Sequence, residues 1–193
     1  MPNARAIFWF ALAGVGAYLL TSKKGFALFG GAIENVRVRA FLYVIRYAEG
    51  TLSPNGYRTL YGGALWNGTD EAHPASMGWR GVPLPEVMCR AAGLSSGCVS
   101  TAAGAYQFIR PTWSRLVDKL GLPDFSPESQ DKAALALIDE VGALSDVQSG
   151  NFESAVSKVR KIWASMPGAG YSQPEKTITV LADVYRSAIA MFS

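Results

Sequence analysis

Histidine is almost missing from this chain and cysteine nearly so: His73 stands alone, and Cys89 and Cys98 are the only thiols. A histidine-rich zinc site therefore cannot be assembled, and a Cys/His structural zinc is short of ligands. A Ser-His-Asp triad would have to use His73, and no nucleophile-elbow pattern accompanies it. Charge of one sign is scarce as well. The net charge is +3, with no run of lysine or arginine and no nucleic-acid motif, so nothing argues for a nucleic-acid partner. A mildly basic protein still suits an anionic polymer such as cell wall. Neither an internal repeat nor a low-complexity tract is present. Any chemistry must rest on carboxylates.

What is present is enough for one folded domain and an appendage. Of 193 residues, 49% are hydrophobic and 17% charged, the balance of a chain that buries a core. Residues 6–22, "AIFWFALAGVGAYLLTS", carry no charge and lie between Arg5 and the pair Lys23–Lys24. As a helix this segment would reach about 25 Å at roughly 1.5 Å per residue, just enough for a hydrocarbon core of about 30 Å with the lysines snorkelling. A cleaved signal peptide and a buried core helix compete with this reading. No small-x-small cleavage site follows, so the preferred expectation is a membrane anchor, or signal-arrest segment, over residues 1–24, contacting an inner or virion membrane. Residues 25–33 read as a linker and 34–193 as the folded domain.

In that domain Val36, Phe41, Leu42, Val44, Ile45 and Ala48 recur at helical spacing, and Gly50 is a natural stop. Residues 51–82, rich in glycine, tyrosine and turn signals, predict a small β region. Helices follow. Pro111 opens one that carries Trp113, Leu116 and Val117. Ser126 and Pro127 cap and open the next, Asn151 starts a third, and Pro174 a last. The fold class expected is α+β: mostly helical, with a small antiparallel sheet beside a cleft and an apolar N-terminal helix. Between Cys89 and Cys98 a glycine- and serine-containing loop can fold back to close a disulfide, worth roughly 2–3 kcal/mol. A bridge would argue for an oxidising compartment; free thiols in a cytosolic protein are the alternative.

Glu49 falls at the C-terminal end of the first helix of the domain. The negative end of the helix dipole disfavours a carboxylate there, and a cleft floored by apolar residues would add desolvation. A glutamate kept protonated near neutral pH is what a general acid for glycosidic cleavage needs. On chemistry alone, a solvated helix-end charge is the commoner outcome.

From about residue 39 onward the chain resembles the lambda phage endolysin family, the lambda-type lytic transglycosylases. The matching stretches keep their order: "AEGT" at 48–51, "GY" at 56–57, "GG" at 62–63 and "HP" at 73–74. They continue with "STAAGAYQF" at 100–108, "GLPDFSPESQDKAAL" at 121–135, "GAL" at 142–144 and "IWASMPGAGYSQ" at 162–173. The resemblance implies a lysozyme-like fold. It implies cleavage of the β-1,4 bond between N-acetylmuramic acid and N-acetylglucosamine in peptidoglycan, with the muramic 6-hydroxyl as nucleophile and a 1,6-anhydro product. Glu49 is then the catalytic acid. Because the sugar supplies its own nucleophile, a second carboxylate is unnecessary, no metal, nucleotide or redox cofactor is needed, and Asp70 and Glu71 read as solvated loop residues.

For saccharide binding the same resemblance favours Ser100, Thr101, Gly104, Tyr106 and Gln107, with Tyr57 and Tyr61 flanking a sugar and Tyr171 as a far wall. A core role for Tyr106 and Phe108, with only Gln107 reaching substrate, and a packed-loop role for Tyr171 stand beside it. Trp163 reads as core, and His73 as a loop-fixing hydrogen bonder. The sequence departs from the family at Ala64, where a glutamate often stands, at Asn55, where a histidine does, and at the cysteine loop. The implied partners are peptidoglycan glycan strands and, for a virion-borne enzyme, virion structural proteins. The implied location is a membrane-anchored domain facing the periplasm, or the virion. A catalytically silent wall-binding or virion protein on the same scaffold is the competing reading.

Overall fold

The computed structural model describes residues 31–91, 93–169 and 176–193. The apolar segment at 6–22 and Tyr171 lie outside the described residues. Helix α1, Val36–Glu49, begins at Asn35, whose side-chain Oδ1 accepts from Arg37 N at 2.9 Å and Val38 N at 3.4 Å. Such a cap is worth about 1 kcal/mol. Its apolar face buries Val38, Phe41, Leu42, Val44, Ile45 and Ala48. Gly50 stops it in the left-handed conformation, φ 71°, which glycine adopts without Cβ strain.

The β region expected over 51–82 is smaller than the pattern suggested, and displaced. Regular pairing is confined to β1, Val82–Pro83, and β2, Val99–Ser100, antiparallel with Val82 opposite Ser100. Upstream there are single bridges, Thr59 to Leu65 and Leu60 to Ala103, and two 3-10 turns, Gly56–Arg58 and Pro74–Ser76. Gly62, Gly63, Gly78 and Gly81 all take positive φ, so the backbone turns before a ladder can extend. Between β1 and β2 lies α2, Glu86–Ala91, and Cys89 is bridged to Cys98 with Cα atoms 5.8 Å apart.

Helices α3, Arg110–Leu120, and α4, Pro127–Glu140, start where the sequence indicates, and Ser126 Oγ accepts from Ser129 N at the head of α4. Then come α5, Leu144–Ser149, α6, Phe152–Val159, and α7, Ile178–Phe192. The last helix begins four residues after the expected Pro174. Thr177 provides the cap, with Oγ1 accepting from Val180 N, and that hydroxyl sets the start. Helix α4 runs through the centre, burying every residue from Ala133 to Ile138. Its alanines let neighbouring elements approach closely. A chain of rings, Tyr106–Phe108–Trp113–Phe125–His73, packs beside it with successive centroids 5.8, 5.3, 4.5 and 5.0 Å apart. On the other side α1 lies along α7, with Tyr43 edge-on to Phe192 and the Arg39 guanidinium 4.4 Å above that ring. Among the described residues no helix is long and apolar enough to cross a membrane.

Candidate active site

Glu49 is the last helical residue of α1, and its side chain turns inward at 4% exposure. Ser165 Oγ donates to Glu49 Oε1 at 2.6 Å. The other oxygen, Oε2, is buried with no hydrogen-bond partner among the described residues. Burial pushes the carboxyl pKa from 4.5 up to about 8, and the Ser165 hydrogen bond works against that rise. Loss of hydration is thus the dominant cause, and the group carries its proton at neutral pH.

The loop after α1 is stitched to the segment at 100–108. Thr51 Oγ1 donates to Ala105 O at 2.6 Å, with Arg46 O also within reach at 3.1 Å. Gln130, on α4, uses its whole amide: Oε1 accepts from Ala105 N, and Nε2 donates to Tyr57 O and Phe125 O, all at 2.8–3.0 Å. Asp131, next to it, accepts from both Tyr57 Oη at 2.8 Å and Tyr106 Oη at 2.6 Å through the same oxygen, Oδ1. Burial, then the Asp131 charge, push both phenols above the ordinary range, so they remain donors. Arg46 completes the group, its guanidinium 4.4 Å above the Tyr57 ring and Nη1 3.3 Å from Tyr57 Oη. Arg46 lies one turn before Glu49 on α1, so the network ties α4 to the turn that carries the acid.

Several expected binding residues are buried and spend their polar groups on bonds within the fold. Tyr106 is 1% exposed and spends its hydroxyl on Asp131; its large apolar ring belongs to the core. Gln107 is 2% exposed and donates to Thr59 O and Gly104 O. Those bonds hold it at φ 51°, a strained setting for a residue with a Cβ. Gly104 is also buried. The close approach it permits is to Gln130, whose Oε1 would lie 2.2 Å from an added Cβ, and not to a saccharide. Ser100 is buried and its Oγ accepts from Ala102 N; Tyr61 is buried at 8%. Tyr57 and Thr101 are half-buried, and Thr101 Oγ1 accepts from Arg110 N at the head of α3.

The other readings hold. Trp163 is fully buried. His73 donates from Nε2 to Phe108 O at 2.8 Å while Nδ1 accepts from Ala75 N, the single-proton tautomer; burial lowers its pKa to about 4. Asp70 pairs with Arg58 at 2.7 Å. Neither Asp70 nor Asp131 is a free partner carboxylate for Glu49. Among the described residues no cluster of three or more His, Cys, Asp or Glu could hold a metal ion. Sequence reasoning missed Ser165, Gln130 and Asp131. All three fall within the matching stretches at 162–173 and 121–135, the one signal that could have singled them out.

A mostly helical body with a minimal sheet and an inward, protonated glutamate defines a class. The chain matches a bacteriophage lambda lysozyme complexed with a chitohexasaccharide at 35% identity and a TM-score of 0.67, over 80% of this chain and 94% of that one. A second lambda lysozyme structure matches at 34% identity and a TM-score of 0.60, over 82% and 92%. The fold is lambda lysozyme-like. The Endolysin family model matches residues 39–192. The endolysin of Escherichia phage lambda is 35% identical over 162 residues, 81% of this chain and 92% of that protein. The endolysin of Escherichia phage P2 is 51% identical over 89 residues, 46% of this chain and 54% of that protein, so this match spans about half the P2 protein's length. The chain belongs to the Endolysin family.

Proposed function

We propose that the protein is a lytic transglycosylase that breaks the MurNAc-β-1,4-GlcNAc bond of peptidoglycan, with Glu49 as its single acid and base. Membership of the Endolysin family makes it a peptidoglycan-degrading enzyme. The observation that carries the finer reading is the state of Glu49: buried and protonated at neutral pH, with no carboxylate among the described residues contributing to its shift. The carboxyl gives its proton to the glycosidic oxygen as the bond from C1 to that oxygen breaks. The resulting carboxylate takes the proton from the muramic 6-hydroxyl as O6 bonds to C1. The proton count closes and no water is consumed. A glycan strand is the substrate class, in keeping with the chitohexasaccharide held by the lambda lysozyme.

The biological setting is host lysis, with residues 1–24 tethering the catalytic domain to the inner membrane on its periplasmic side and 25–33 as linker. The Cys89–Cys98 bridge suits that compartment. Service in the virion during wall penetration, with virion proteins as partners, is the second setting, and recovery of the protein from purified virions would select it.

Digestion of purified peptidoglycan followed by mass spectrometry tests the chemistry. Muropeptide ends one water lighter than reducing ends are expected from the wild type, and none from Glu49→Gln. Reducing ends throughout would make the enzyme a hydrolase.

A further inference from the structure

The two oxygens of the Glu49 carboxyl have different surroundings. Oε1 accepts the short hydrogen bond from Ser165, and Oε2 is buried without a partner among the described residues. We propose that Ser165 is the positioning residue of this enzyme: its hydroxyl fixes Oε1 and so leaves Oε2 as the oxygen that gives and regains the proton. The inference rests on the reading of Glu49 as the acid.

Ser165 is well placed for such a role because its own backbone is held. Trp163, fully buried, donates from Nε1 to Tyr106 O at 3.3 Å, and Met166 N donates to Trp163 O at 3.0 Å. The stretch at 163–166 is thereby pinned to the 100–108 segment, and Ser165 itself is 7% exposed. A hydroxyl donor has two effects on a buried carboxyl. It selects one rotamer, and it stabilises the anion that must exist between the two proton transfers. Burial alone would hold Glu49 so firmly protonated that the anion would form reluctantly; the Ser165 bond opposes burial. Among the described residues no other group offsets it. Arg46, Tyr57, Tyr106 and Asp131 are engaged with one another, and burial and Ser165 account for the Glu49 shift. Lys176 stands over the Tyr47 ring.

The test is the pH dependence of initial clearing rates on purified peptidoglycan for wild type, Ser165→Ala, Ser165→Cys, Ser165→Thr and Glu49→Gln, with thermal melts run alongside. Loss of one hydrogen bond to a charged group predicts that the alkaline limb of kcat/KM, near pH 8 in the wild type, moves up by about 1–2 pH units in Ser165→Ala. It also predicts a fall in kcat of about tenfold or more, with little change in KM. Thr, which keeps the donor, brings the limb back. Should Ala fail to fold, Cys, close in shape and a weak donor, reads the same shift. A Ser165→Ala or Ser165→Cys enzyme with the wild-type limb and kcat, in a series where Glu49→Gln is dead, overturns the role of Ser165 alone. A Glu49→Gln enzyme that clears at the wild-type rate removes the reading beneath it.

Discussion

Asp131 holds two phenols with one oxygen, at 2.8 Å from Tyr57 Oη and 2.6 Å from Tyr106 Oη. Asp131→Ala leaves both hydroxyls in a largely dry region. The expected loss is about 2–5 kcal/mol in urea unfolding, since an orphaned buried donor costs roughly 1–3 kcal/mol. Asp131→Asn keeps an acceptor oxygen and loses less; equal losses for the two would mean that the phenols do not depend on this residue. The comparison shows what a sequence discloses about single residues. His73 and Trp163 were legible because each place follows from the residue's own position on an element or in a motif. Ser165, 116 positions from Glu49, was not, because only tertiary folding brings the two together. The inward orientation of Gln107, and of Tyr106, for which a core role stood beside binding, was not fixed by the sequence for a related reason. A motif that matches a binding family shows that a segment matters, not which way its side chains face, and a tyrosine ring gains more from the core than from a rim.

The helices were legible as elements wherever a local signal marked their ends: Gly50 stops α1, and Ser126 with Pro127 opens α4. The sheet was not, because glycine-rich turns and short strands leave too few alternating positions to set a register. The segment at 100–108 is the most constrained loop of the site, and its glycine separates two effects. Gly104 has φ 80° and an added Cβ would lie 2.2 Å from Gln130 Oε1, whereas Gly62, at φ 85°, has nothing within 4 Å of that point. Gly62→Ala should therefore lower stability only by the backbone strain, about 1–2 kcal/mol. Gly104→Ala adds displacement of Gln130, whose amide joins Ala105, Tyr57 and Phe125, for a total on the order of 3–5 kcal/mol. Thermal melts of the two variants give the ranking; the reverse order would show that this loop is not held by Gln130.

At the scale of the whole molecule, the site and the core give the folded state opposite responses to pH. His73 ionises at 6.5 when exposed and at about 4 in the fold. Between those values the unfolded chain binds more protons, so His73 makes the protein lose stability as pH falls from 6.5 towards 4. Glu49 acts with the other sign. An exposed glutamate ionises at 4.5 and the folded one at about 8, so the folded state binds more protons across that interval. Stability from this group is full below 4.5 and falls until pH 8, beyond which the loss is complete and on the order of 3–5 kcal/mol at about 1.4 kcal/mol per pH unit. The buried Glu49 carboxyl is thus a stability burden at neutral pH and above. Glu49→Gln keeps the shape and an acceptor for Ser165 but cannot ionise. Measured in urea at successive pH values, its stability should equal that of the wild type at pH 4.5, exceed it progressively up to pH 8, and stay higher by a constant amount above. Parallel curves for the two proteins across this range would mean that the carboxyl is hydrated and ionised in the fold. With that, the reason for assigning Glu49 the proton in the first step of bond cleavage would be gone.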